Sequence, residues 1–108
     1  MTMISYNKLV RDRIPEIIRS QGKSCVVTTL AKEDHLSHLN AKLGEELAEY
    51  TASGEVMELA DMTEIIRAIL HIKGVDLEDF EALREKKRQS NGGFNGGWFL
   101  VSVEEPEG

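Results

Sequence analysis

Cysteine is almost absent from this chain, long apolar runs are absent, and positive charge is in deficit. The single cysteine of the 108 residues, Cys25, rules out an intrachain disulfide and matches thiol usage in a reducing compartment. It lies in the apolar run SCVVTTL, where a small core side chain is expected and nothing nearby marks a nucleophile. No apolar stretch approaches the ~18 residues of a membrane span and no signal-peptide pattern is present, so a cytoplasmic protein is expected. A formal net charge of −6 argues against a general binder of nucleic-acid polymers or anionic membranes. No internal repeat and no linker interrupts the sequence, which reads as one domain over residues 1–108.

What is present is ordinary soluble-protein composition, 41% hydrophobic and 30% charged. A chain of this size holds a modest core and profits from oligomerisation. Its basic residues are not spread evenly: they gather in Lys8–Arg13 and Arg84–Arg88.

Taken in order, residues 1–11 give an extended start anchored by Tyr6 and Leu9. Asp12 is the expected N-cap of a helix that tolerates Pro15 in its first turn, buries Ile14, Ile17 and Ile18, and stops at Gly22. Residues 24–30 are β-branched and bounded by turn residues, the pattern of a strand. A helical hairpin follows over roughly 33–52 and 55–73, turning at Ser53-Gly54 and closing at Gly74. Asp76 with Asp79 resembles a capping box that opens a fourth helix to about Arg88, with Leu77, Phe80 and Leu83 on its apolar side. After the loop SNGGFNGG, residues 98–103 (WFLVSV) read as a second strand able to pair with 24–30, and the EEPEG tail as frayed.

The hairpin carries the chemistry. On its first helix Leu36, Leu39, Leu43, Leu47 and Tyr50 form an apolar stripe, and on its second Val56, Leu59, Thr63, Ile66 and Leu70 do so. Glu46 and Glu49 fall roughly 70° and 130° round from the first stripe, and Glu58 and Asp61 roughly 120–180° round from the second, in the same rotational sense. With stripes facing in an antiparallel pair, these flanks share one side and four carboxylates converge. At ~5 Å and an effective dielectric near 20, each pair repels by about 3 kcal/mol. Such a cluster protonates, splays or holds cations. Oxygen ligands alone favour Mg²⁺ or Mn²⁺ over zinc. The same pattern also fits two solvated acidic faces.

The phrases KLGEELAEY…MELAD, with their ExxE…ExxD pairs at hairpin spacing, resemble the signature of the all-α, MazG-like nucleoside triphosphate pyrophosphohydrolases. That superfamily includes phosphoribosyl-ATP pyrophosphohydrolases and dimeric dUTPases. The opening YNKLVRDRIPEII and the later GGF resemble a small single-domain branch, so the likeness covers about residues 5–100. It implies a helical hairpin inside a four-helix core completed by homodimer or tetramer formation, with a two-stranded appendage. It also implies hydrolysis of a nucleotide between the α- and β-phosphates, giving a monophosphate and pyrophosphate. By position, Glu46, Glu49, Glu58 and Asp61 would hold Mg²⁺, with Glu45 a further ligand or the base. Catalysis would then rest on Glu45, Glu46 and Glu49, any uncommitted carboxylate serving as proton acceptor.

Phosphates call for cations, and Lys87, Arg88, Lys8 and Arg11 are the candidates. Family members commonly place a Lys and an Arg one helical turn apart before GGF; here Lys87 fits, but Asn91 stands four residues later. His35 and His38 share the acidic flank and read as surface histidines, with no Cys/His ligand spacing, and His71 reads as structural. Phe94 and Trp98 suit either base stacking or packing on the strand pair. Two alternatives stand beside the hydrolase: a phosphoribosyl-ATP pyrophosphohydrolase, which the YNKLVRDRIP opening disfavours, and a non-catalytic, metal-binding helical module.

Overall fold

Helix signals in the sequence become four helices in the computed structural model, which describes residues 2–107: α1 Ile14–Ser20, α2 Lys32–Ser53, α3 Val56–Ile72 and α4 Leu77–Asn91. The described chain is all-helical in its regular structure, and it divides into two compact units, Met1–Val75 and Asp76–Gly108. The first unit is built on the packing of α2 against α3. The second holds α4 and the C-terminal segment.

The hairpin turn follows from Gly54. Its φ of 69° is a left-handed conformation that costs a residue with a Cβ about 1–2 kcal/mol, and in it the Gly54 N–H donates to Tyr50 O at 2.7 Å. Ser53 Oγ accepts from the Glu55 N–H at 3.2 Å, which starts the chain into α3. At the far end Gly74 again takes a positive φ, and the Val75 N–H closes on Leu70 O at 2.9 Å. In the second unit Asp76 caps α4 as expected, its Oδ1 accepting from the Glu78 N–H at 2.8 Å. That helix runs three residues past Arg88, to Asn91.

Three expectations are corrected. Asp12 is not the cap of α1: the N-cap is Arg13, in a helical backbone conformation with no side-chain cap bond, and Pro15 fills the first turn. Residues 24–30 and 98–103 form no strands. β-branched side chains favour extended backbone, but a strand exists only with a ladder, and an isolated two-stranded pair is marginal in water. Their apolar side chains are left largely open, Val26 and Val101 among them.

The third correction concerns the facing sides of the hairpin. Leu39 and Ile65 are the buried apolar residues of the described chain, and they mark the centre of each helix's inner face. Counting about 100° per residue from Ile65 puts Met62, Ile69 and Ile72 on the inner face of α3 and Val56 opposite it. Val56 is accordingly 76% exposed, and Leu59 and Thr63 are also exposed. On α2 the inner face is centred between Leu39 and Glu46, which leaves Leu47 51% exposed. Because α3 is apolar almost all round, two stripes were available to it, and tertiary packing selected the one beside the acidic residues.

Nothing lies within 4 Å of a Cβ added at Gly54, so a substitution there costs backbone strain alone. Gly54→Ala is therefore expected to lower the unfolding free energy by about 1 kcal/mol in denaturant titrations, and Gly54→Asn by less.

Candidate metal centre

The rotation of both helices brings the acids inward. From Ile65, Glu58 and Asp61 lie roughly 20° and 40° round, and from Leu39, Glu46 lies roughly 20° round. All three stand on the contact faces of the hairpin, not on the flanks the apolar stripes suggested. One oxygen from each of Glu46, Glu58 and Asp61 falls within 4.8 Å of the others. Glu49 stays on the exposed rim of the same side.

Burying carboxyl groups against one another has a visible electrostatic consequence. Glu58 is half-buried, and its pKa is raised from 4.5 to about 7. The chief cause is the nearby Glu46 carboxyl, which favours the protonated form of Glu58, followed by desolvation and the negative charge of Glu49. Glu46 Oε2 is shielded from solvent and has no hydrogen-bond partner. A shielded, unpaired carboxylate oxygen is costly and calls for a proton or a cation.

One cation does arrive from far away in sequence. Arg11 Nη2 donates to Asp61 Oδ1 at 2.6 Å, so the N-terminal segment crosses onto α3. A single guanidinium opposite four carboxyl groups leaves the site negative. An all-oxygen donor set, an orphaned oxygen and that surplus charge suit a hard divalent cation, with Glu46, Glu58 and Asp61 the residues able to hold it.

The other expected site residues divide between the two units. Glu45 is exposed and lies outside the trio. It lines a cleft of about 120 Å³ between the N-terminal segment and α2, together with Asn7, Lys8, His38 and Lys42. Lys42 stands one helical turn ahead of Glu46; that i, i+4 spacing was the signal in the sequence that it belongs near the acids. In the second unit Arg88 Nη1 is 3.8 Å from Glu85, and Arg84 pairs with Glu81 at 2.9 Å, so both guanidinia are engaged along α4. Lys87 is exposed on the same helix. Phe94 and Trp98 are almost fully exposed and pack on no strand pair. His71 is also exposed.

Part of the chain is similar to a known protein. Over 46 residues the chain is 50% identical to an uncharacterized protein of Mycolicibacterium smegmatis (strain ATCC 700084 / mc(2)155), a match covering 43% of this chain. It covers 47% of that protein, so the chain spans about half of its length. No family model matches the chain, and no solved structure matches it.

The raised pKa of Glu58 gives stability a pH dependence of definite sign. A carboxyl group that holds its proton more tightly folded than unfolded favours the fold at low pH, and that contribution is lost as pH rises from about 4.5 through about 7. In EDTA, urea titrations should show the wild-type protein losing stability over that window, and Glu58→Gln should flatten the loss. An unchanged slope in the variant would place the proton elsewhere.

Proposed function

We propose that this protein is a Mg²⁺-dependent nucleoside triphosphate pyrophosphohydrolase that cleaves between the α- and β-phosphates and serves nucleotide-pool clearance. The observation that carries the reading is the convergence of Glu46 from one helix with Glu58 and Asp61 from the next, their oxygens within 4.8 Å of one another. The resemblance of the ExxE…ExxD pairs, the YNKLVRDRIP opening and GGF to the MazG-like superfamily supports it independently.

Each residue then has a task that follows from its position. Glu46, Glu58 and Asp61 would hold the cation, and Mn²⁺ would suit the same oxygens. When bound, the metal supplies neutralising charge for phosphate oxygens and lowers the pKa of a coordinated water. Glu58, whose pKa is raised beside Glu46, would have to be ionised to serve as a ligand. Arg11 fixes the orientation of Asp61 through their ion pair and keeps one positive charge beside the entering phosphates. Glu49, on the exposed rim, is free to accept a proton from the attacking water. Lys87 and Arg88 lie in the second unit, and Asn91 stands there where the resemblance implies an Arg.

The reading includes a homodimer or tetramer in which a second hairpin completes a four-helix core. Val56, Met57 and Leu59 on α3, with Leu47 on α2, leave apolar surface open on a hairpin that buries little of its own. A two-fold assembly covers like surface with like. Light scattering at micromolar concentration is expected to give twice or four times the chain mass, and a monomer would sink this part of the reading.

The activity itself is tested by pyrophosphate release across a panel of canonical and modified nucleoside triphosphates and phosphoribosyl-ATP, with Mg²⁺ and with EDTA. Release is expected only with the metal. Glu46→Gln and Asp61→Asn should each lower it by roughly two orders of magnitude or more while keeping the helical circular dichroism signal. Release from phosphoribosyl-ATP alone would favour a phosphoribosyl-ATP pyrophosphohydrolase. No release from any substrate, with folding and assembly intact, would favour a non-catalytic helical module.

A further inference from the structure

The cleft beside the carboxylates has the opposite electrostatic character. Lys8, from the N-terminal segment, and Lys42, from α2, line it together, and among the described residues neither is in an ion pair. Lys8 Nζ lies instead 5.6 Å from the centroid of the Tyr6 ring, a weak contact for an ammonium group. Among the described residues Glu45 is the acid that lines the cleft, beside two lysines, with Glu46 and Glu49 one turn further along α2.

Two further features prepare it for an anion. His38 lines the cleft, and its Nδ1 lies 2.8 Å from Asp34 O on its own helix. A carbonyl only accepts, so Nδ1 carries the ring proton and Nε2 is left unpaired by that bond. Asn7 holds a left-handed backbone, φ 47°, which turns the segment so that Lys8 comes to α2 while Arg11 reaches Asp61 on α3. The cleft's volume is about 120 Å³. Lys42 and Glu45 precede Glu46 and Glu49 by one turn, about 6 Å along α2.

We propose that this cleft is an anion subsite in which Lys8 and Lys42 hold the terminal phosphoryl groups of a polyphosphate ligand. The assignment of that ligand as the leaving pyrophosphate end of a nucleotide rests on the hydrolase reading; the subsite itself does not need the metal. Lys8 and Lys42 bind here as point charges, Glu45 opposes them, and Arg11 stays committed to Asp61.

Calorimetric titration of the full chain with inorganic pyrophosphate in EDTA tests this directly. Wild-type protein is expected to bind. Lys8→Gln and Lys42→Gln should each weaken binding about tenfold, the size of one lost charge-assisted hydrogen bond. Glu45→Gln should strengthen it severalfold, a change of opposite sign that no loss of structure produces. Lys8→Arg should retain binding, and Lys23→Gln, on an exposed lysine outside the cleft, should leave it unchanged. The subsite is overturned if wild type takes up no pyrophosphate, if both lysine variants bind like wild type, or if Lys23→Gln costs as much as they do. Hydrolysis separates the two ideas. Pyrophosphate bound through Lys8 and Lys42 with no triphosphate turned over leaves the subsite and removes the hydrolase. Turnover with unchanged KM in both lysine variants does the reverse.

Discussion

Carboxyl groups set into the contact between two helices are the constraint to which the rest of this molecule answers. Glu46, Glu58 and Asp61 occupy positions on the inner faces of α2 and α3 that an ordinary hairpin would give to leucine or isoleucine. Like charges so placed repel and lose solvation together, and three devices offset that cost within the chain. The pKa of Glu58 is raised, a guanidinium is brought to Asp61, and Glu49 stays at the solvent-exposed rim. The orphaned oxygen of Glu46 is what remains uncompensated. Binding a cation there would couple to folding, because a ligand that binds only the folded chain stabilises it by mass action.

That constraint also explains why the first unit reaches back to its N-terminal segment. Residues 7–11 belong to no helix or strand, yet they meet α2 through the Lys8 cleft and α3 through Arg11. A segment with no ladder is held by its charges and its apolar anchors, Leu9 among them. It supplies cation to a hairpin whose two helices supply anion, and the bond from Arg11 to Asp61 spans 50 residues of sequence. Negative and positive chemistry therefore lie side by side along one flank of α2, a turn apart.

The apolar bookkeeping of the hairpin is modest. Among described residues Leu39 and Ile65 alone are buried apolar side chains, and acids take positions where more would have been. Val56, Met57 and Leu59 face outward instead. A helix apolar on two sides with one side spent on a charged contact has the other left for a partner, which is the physical ground for the proposed assembly.

Much was legible before any coordinate. The hairpin, its Ser53-Gly54 turn and the Asp76 cap follow from rules that act within a few residues: helical periodicity, left-handed glycine, side-chain capping. Those elements are what the sequence by itself determined, together with the all-helical class of the described chain. Four acids were expected to converge on the flanks of facing stripes; Glu46, Glu58 and Asp61 come together instead on the inner faces. Asp12 failed as a cap because local spacing does not reveal which backbone conformation the preceding turn imposes. Residues 24–30 and 98–103 read as strands because propensity is local, whereas a ladder needs a partner that propensity does not name. Which of two apolar stripes on α3 turns inward is likewise undecided by periodicity, since both satisfy it. Only tertiary packing chose the stripe beside Glu58 and Asp61, and only it brought Arg11 and Lys8 across the intervening chain, because pairing at a distance is settled by the summed energy of contacts and not by any one neighbour.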